Sequence, residues 1–156
     1  MDAQTLDLLR ARLASFGQAC VSHGVLAVDV APGDILRVAT ALKRDHGFDL
    51  FVDVTAVDWP RREPRFDVVY HFYSTTHHAR LRLKTKVAVD DPAVDSLTQL
   101  YGSAGFMERE CHDMYGIRFL GNADLRPILL YEGFDGHPLR KDYAKDHEQP
   151  LVRYLE

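Results

Sequence analysis

A chain of 156 residues with 46% apolar and 27% charged side chains is one ordinary globular domain with one core, which argues against a disordered segment. A formal net charge of -4 lacks the basic excess that a nucleic-acid footprint needs. Two cysteines, Cys20 and Cys111, stand far apart with no CxxC pair, so the chain offers no set of closely spaced thiolates for an iron–sulfur cluster.

Leu6, Leu9, Leu13 and Phe16 recur at helical spacing, predicting an amphipathic helix over 5–16, capped near Thr5 and stopped by Gly17. Val25 to Ala31 alternates as a strand. Pro32-Gly33-Asp34 then turns the chain, with Asp34 as N-cap of a second helix whose inward stripe is Ile35, Val38, Ala39 and Leu42. From Phe48 to Asp58 the period becomes two, which places Phe48, Leu50, Val52, Val54 and Ala56 on one face. After the proline-punctuated loop from Trp59 to Arg65, the alternation returns in Phe66, Val68, Tyr70 and Phe72. It returns again over 79–87, with Leu81, Leu83 and Val87 inward and Arg80, Arg82, Lys84 and Lys86 outward. Three such runs with short loops predict an antiparallel meander with one solvated face.

Pro92 after Asp90-Asp91 predicts a helix carrying Val94, Leu97 and Leu100, closed by Gly102. Ser103 is the expected cap of a last helix through Met114, with Met107, Cys111 and Met114 inward, Glu108, Arg109 and His112 elsewhere, and Gly116 as its stop. Beyond Phe119, Gly121, Pro127, Gly133, Gly136, Pro138 and Pro150 punctuate too often for a long element. Leu125, Ile128, Leu129, Leu130, Tyr131, Phe134, Leu139, Tyr143 and Leu151 are nevertheless more apolar side chains than a solvated linker keeps. The expected organisation is an α+β domain over 1–119 followed by an extended arm over 120–156. That arm is expected to lie across a partner protein and to be partly mobile without it. The expected fold class is α+β: a two-layer sandwich, a mostly antiparallel sheet with helices packed on one face, plus an irregular C-terminal arm. The chain start shows no basic region followed by an apolar run, and no stretch of about 18 apolar residues occurs, so a reducing, cytoplasmic setting without a membrane span is expected.

Chemistry-bearing residues gather in two blocks: Glu108-Arg109-Glu110-Cys111-His112-Asp113-Met114-Tyr115-Gly116-Ile117, and Gly136-His137-Pro138-Leu139-Arg140-Lys141-Asp142-Tyr143. Glu108 and His112 have the i,i+4 spacing of two ligands on one helix face, but no second histidine stands with them as in HExxH. Arg109, Glu110 and Asp113 read instead as a polar network held by partners at an interface. His137 beside Pro138 would need a reachable nucleophile or substrate to act as a base, and a histidine held by a turn is the plainer reading. Arg140 and Lys141 suit charge-assisted contacts to carboxylates on another chain. Arg80, Arg82, Lys84 and Lys86 read as a solvated sheet face or as protection of a strand edge, with an anionic surface as the alternative. Cys111 reads as a small core residue. The rival from the catalytic class is a small metal-dependent hydrolase using Glu108, His112, Asp113 and His137.

The two blocks resemble the E-R-E-x-x-D-M-[FY]-G-I and G-H-P-L-R-K-D-[FY] signatures of the thirty-kilodalton subunit of respiratory complex I, also called the C subunit of NADH-quinone oxidoreductase. Asp124-Leu125-Arg126 with Ile128-Leu129 resembles the D-L-R-R-I-L of that family, departing at Pro127. Asn122-Ala123, Gly105-Phe106 and His112 also depart from the usual His-Pro, tryptophan and aromatic residue. The resemblance implies a non-catalytic structural subunit of the peripheral arm of a proton-translocating enzyme, on the cytoplasmic side of the bacterial inner membrane. It implies no catalytic, cofactor-binding or metal-ligating residue in this chain. NAD, FMN, iron–sulfur clusters and quinone are expected in partner subunits, and membrane association only through partners. The arm is expected to dock on the forty-nine-kilodalton subunit (the D subunit), near other peripheral-arm subunits. The expected partner-interface residues are Glu108, Arg109, Glu110, Asp113, Tyr115, Gly116, Asp124, Leu125, Arg126, Gly136, His137, Pro138, Leu139, Arg140, Lys141, Asp142 and Tyr143. Related membrane-bound hydrogenases, formate hydrogenlyase and F420H2 dehydrogenases carry the same blocks, so the resemblance leaves the particular complex open.

Overall fold

The computed structural model describes residues 3–147, with side chains from Asp7 onward. The expected Thr5 cap, Leu6, Pro150, Leu151 and the arm residues 148–156 lie outside those described side chains and residues.

Helix α1 (Ala3–Leu13) buries Leu9 and Leu13 and ends before Phe16, where the Phe16 N–H turns back to the Leu13 carbonyl at 3.0 Å. Strand β1 (Gln18–Ser22), which the sequence reading missed, pairs antiparallel with β2 (Val25–Asp29) across His23 and Gly24. Both turn residues have positive φ, 51° and 74°, as the tight hairpin turn that matches strand twist requires. Gly24 was the available signal. A short 3-10 turn, Pro32–Asp34, leads into α2 (Ile35–Asp45), which buries the expected Ile35, Val38, Ala39 and Leu42. Asp34 occupies the N-cap position, but its carboxylate takes the Arg37 guanidinium at 3.0 Å and caps no helix N–H.

Strands β3 (Leu50–Asp58), β4 (Phe66–Ser74) and β5 (Ala79–Val87) form the expected antiparallel meander. The full sheet runs β1-β2-β5-β4-β3, with β2 parallel to β5, so Leu26 sits opposite Leu81 and Val28 opposite Leu83. Helices pack on one face of this sheet. The sheet differs from expectation in two ways. The β3 register shifts between Phe51 and Asp53, so Phe51, Val54, Ala56 and Asp58 point inward while Leu50 and Val52 are exposed. An extra residue in one strand reverses the faces on one side of it, which strict alternation could not reveal. Second, β5 lies at the centre of the sheet, so its four cations do not protect an edge.

Ala93–Asp95 is a strand, β6, and not part of a helix opened by Pro92. It pairs parallel with β7 (Arg118–Leu120), Val94 facing Phe119, and the Pro92 carbonyl accepts the Arg118 N–H at 2.7 Å. Tertiary pairing with a distant strand overrides the local helix-start signal. Between them runs α3 (Ala104–Tyr115), packed beside β3. Tyr101 and Ser103 donate their hydroxyls to the carbonyls of Phe48 and Phe51, at 2.8 and 3.0 Å. The buried face of α3 is Ala104, Glu108, Cys111 and Asp113, with Met107 and Met114 only half-buried, so Glu108 lies inward, contrary to expectation.

Candidate functional site

From Gly121 to His147 the chain forms no helix or strand, yet its backbone is tied to α3 at many points. One oxygen of Asp113 accepts the backbone N–H groups of Ile128, Leu129 and Leu130 at 2.7, 3.0 and 3.3 Å. Burial pushes this carboxyl up, but the three donors and the nearby His112 outweigh it and hold it below the usual carboxylate range. One turn earlier, Arg109 donates to the carbonyls of Arg126 and Pro127, each at 2.8 Å. The i,i+4 pair Arg109 and Asp113 thus does not close on itself: the cation holds the arm's carbonyls and the anion its amides.

The second block closes the end of the same helix. The last carbonyls of any helix lack partners within it. Here the Asp113 carbonyl meets the His137 Nδ1 at 2.9 Å, the Met114 carbonyl accepts the Leu139 N–H at 3.1 Å, and the Tyr115 carbonyl accepts the Arg140 Nε at 2.7 Å. Gly116 follows at φ 72°, in the left-handed region that ends helices. A Cβ there would lie 2.4 Å from the His137 Nε2 and 2.5 Å from an Arg140 Nη, so the glycine makes room for the second block. The two motifs are complementary halves of one junction.

A third tie joins Lys141 and Asp142 to Arg65 and Asp58, two residues the sequence reading did not single out. Arg65 grips Asp58 through two bonds, at 2.7 and 2.8 Å, and reaches Asp142 at 2.7 Å. Asp58, an inward position at the end of β3, also accepts the Lys141 N–H at 2.7 Å. The Arg65 hydrogen bonds hold the carboxyls of Asp58 and Asp142 below their ordinary values, with Lys141 adding to the effect at Asp58. Both Arg65 and Arg140 lie over the Phe66 ring, 5.1 and 5.2 Å from its centroid. The sequence signal was a carboxylate at an inward strand position followed by an arginine-rich loop.

Glu108 is fully enclosed. Its carboxylate accepts the Leu97 N–H at 2.7 Å, the Ser96 hydroxyl at 2.8 Å and the Asn122 amide at 2.9 Å. Burial pushes its pKa up, the donors pull it down, and the net position is above the ordinary value. It therefore joins the end of β6, the middle of α3 and the start of the arm from inside. Of the other expected interface residues, Glu110 is exposed, Tyr115 and Pro138 are half-buried, and Leu125 packs partly on the core. Asp124 pairs with Arg126 at 2.7 Å, which with Arg109 holds it well below its usual value. Gly136 passes close under the Tyr143 ring, which stacks on Phe134 with centroids 6.2 Å apart. The Asp142 carboxylate faces Arg65, and Lys141 contributes its backbone N–H.

Some of the arm's apolar side chains face the other way. Leu129 is 61% exposed, Leu139 47%, Tyr131 38% and Ile128 37%, beside Leu120 at 51% and Phe106 of α3 at 61%. Between α3 and the arm lies a cavity of about 170 Å³ whose lining includes His112, Leu125, Leu130, Phe134 and His137. His112 turns its Nδ1 to the Ile117 carbonyl at 2.9 Å, and its ring centroid is 6.3 Å from that of His137. Among the described residues no three His, Cys, Asp or Glu side chains are grouped to hold a metal ion, and no helix is long and apolar enough to cross a membrane.

Residues 28–149 match the family described as respiratory-chain NADH dehydrogenase, 30 Kd subunit. The C subunit of NADH-quinone oxidoreductase from Phenylobacterium zucineum is 44% identical over 100% of this chain and 71% of its own length. Its counterpart from Paramagnetospirillum magneticum is 50% identical over 85% of this chain and 64% of its own. The chain thus spans roughly two thirds of the length of these curated relatives. Among solved structures, the trypsin-resistant fragment (1-134) of Nqo5 is 29% identical, with a TM-score of 0.66 over 78% of this chain and 99% of that one. A chain of an archaeal membrane-bound sulfane sulfur reductase shares the fold, at 23% identity and a TM-score of 0.77 over 98% of this chain and 96% of that one. With the two blocks interlocked at the end of α3 and the family match running across the sheet and the arm, the chain belongs to the family of the 30 Kd subunit of respiratory-chain NADH dehydrogenase, the C subunit of NADH-quinone oxidoreductases.

Proposed function

We propose that this chain is a structural subunit of the peripheral arm of a proton-translocating NADH-quinone oxidoreductase, and that its C-terminal arm docks on the forty-nine-kilodalton subunit (the D subunit). Its role is positional. NAD, FMN, iron–sulfur clusters and quinone belong to partner chains in this reading, and the subunit reaches the cytoplasmic face of the membrane only through them. The observation that carries the reading is the division of labour within the arm. Its backbone is fixed by Arg109, Asp113, His137 and Arg140, while Ile128, Leu129, Tyr131 and Leu139 remain exposed. Apolar side chains held outward on an ordered irregular segment are a surface prepared for a partner, because little further ordering entropy opposes binding.

Co-expression with the forty-nine-kilodalton subunit of the same organism tests this. The full chain should give a stoichiometric complex, and a chain cut after Phe119 should not. Because that cut also removes ties to Glu108 and Asp113, a Leu129→Asp, Leu139→Asp double variant serves as the milder probe. It should keep the circular dichroism of the parent and lose the partner. A full-length chain that stays monomeric beside that subunit, or a double variant that binds as the parent does, would refute the docking.

A further inference from the structure

The helix-free face of the sheet carries Arg80, Arg82, Lys84 and Lys86 along β5, and none of the four makes an ion pair or side-chain hydrogen bond among the described residues. Position removes the simplest explanation, since β5 has β2 on one side and β4 on the other and offers no edge to guard. Nor is the face only a solvated polar surface. Ala27 and Val69, the register neighbours of Arg82 and Lys84, are 2% and 7% exposed although no helix of the described residues packs on this face. Long cationic side chains next to them in register are of the kind that lay aliphatic stems over apolar neighbours and keep their charged heads in water. Toward β3 the same face turns apolar, with Leu50 and Val57 half-exposed. A groove of about 250 Å³ opens among Val25, Val52, Asp53, His71, Arg80 and Arg82. Asp67, the acid beside Lys86, is already held by Arg62 and by Trp59.

We propose that this face docks an acidic amphipathic helix of a neighbouring subunit, laid along β5 with its apolar flank toward Val52 and Leu50. The inference goes beyond docking of the arm, but it rests on the chain being part of a multisubunit assembly. Charge and spacing favour this occupant. Alternate residues of a strand repeat about every 6.7 Å, and carboxylates at i and i+4 of a helix about every 6 Å. Each such step also turns about 40° round the helix, so two repeats, three carboxylates, accumulate about 1.4 Å of axial mismatch and about 80° of rotation, within the reach of lysine and arginine side chains. The exposed aliphatics suit a helix flank and do nothing for a phosphate backbone, and a helix can set its carboxylates over the cations and uncharged residues over Asp29, opposite Lys84, and Asp53, which a uniformly charged backbone cannot.

The test compares the assembled complex with the isolated full chain, using amine acetylation and zero-length carbodiimide cross-linking read by mass spectrometry. In the complex, Lys84 and Lys86 should lose acetylation and form amide links to Asp or Glu side chains spaced three or four residues apart in one partner. Reversing Arg80 and Arg82 (R80E, R82E), both on the sheet's outer face, should abolish those links while leaving both lysine amines in place. A complex that contains the chain while both lysines acetylate as they do in isolation would overturn this proposal and leave the arm-docking reading standing. Absence of the chain from any complex would overturn both. Protection without carboxylate links, lost when detergent strips the phospholipid, would assign the face to a lipid surface and also overturn it.

Discussion

Replacing Asp113 with alanine removes one carboxylate oxygen that receives three backbone N–H groups, at 2.7, 3.0 and 3.3 Å. Hydrogen bonds to a charged group contribute about 1.5–3 kcal/mol each, but Ile128 and Leu129 are exposed enough for water to replace part of the loss. The local cost is therefore about 2–3 kcal/mol, which corresponds to roughly 30- to 150-fold faster amide exchange in an opening confined to the arm. Hydrogen exchange read residue by residue should show that acceleration at Ile128, Leu129 and Leu130, with β4 and β5 unchanged. Asp113→Asn keeps one acceptor and should fall between. The pH dependence has a defined sign. Because the folded carboxyl lies below its unfolded value of about 3.9, its stabilisation is fully present above that pH and is lost as the pH falls through the lower folded value. Exchange at these three amides that is unchanged in Asp113→Ala would refute the fastening.

Arg65→Ala would leave the enclosed Asp58 carboxylate with only the Lys141 N–H, and breaking a pair this buried should cost about 3–5 kcal/mol in urea unfolding. A loss below about 1 kcal/mol, the value of an exposed pair, would contradict that assignment. Gly116→Ala places a Cβ at φ 72° against His137 and Arg140 and should cost about 1–3 kcal/mol. It should also speed exchange at Leu139 and Arg140, and unchanged amides there would show that the junction tolerates the methyl group. Glu108 titrates in the opposite sense from Asp113. Its folded pKa lies above the unfolded value of about 4.3, so its contribution is present below that pH and is lost as the pH rises through the folded value. The stability of the parent relative to Glu108→Gln should therefore decline as the pH rises above the unfolded value, by roughly 1.4 kcal/mol for each pH unit that separates the folded pKa from the unfolded one. A difference that grows with pH would reverse the picture of a desolvated carboxyl.

The meander was readable because each of β3, β4 and β5 has one buried face, and a period of two survives in the letters Phe66, Val68, Tyr70 and Phe72. The left-handed stop at Gly116 was readable for a similarly local reason. What escaped the sequence is non-local. The β6 strand exists because Val94 finds Phe119 beyond an intervening helix, and the bulge before Asp53 has no letter of its own. Glu108 reads as a surface residue because burying a carboxylate is costly. That cost is offset by donors from Ser96, Leu97 and Asn122, which no helical wheel brings together. The motif blocks meet at one junction, but the ties that form it lie between segments far apart in sequence. Arg109, Asp113, His137 and Arg140 have hydrogen bonds within this chain, while Ile128, Leu129, Tyr131 and Leu139 are exposed.

The ties from α3 and β3 imply that the chain orders its own arm before any partner arrives, against the partial mobility expected from the sequence. Hydrogen exchange of the isolated wild-type chain at neutral pH addresses it without a variant. Protection at the amides of Ile128, Leu129, Leu130, Leu139 and Lys141, each of which has an acceptor on α3 or β3, is the predicted result. Exchange at all five at the rate of an unstructured peptide would contradict it.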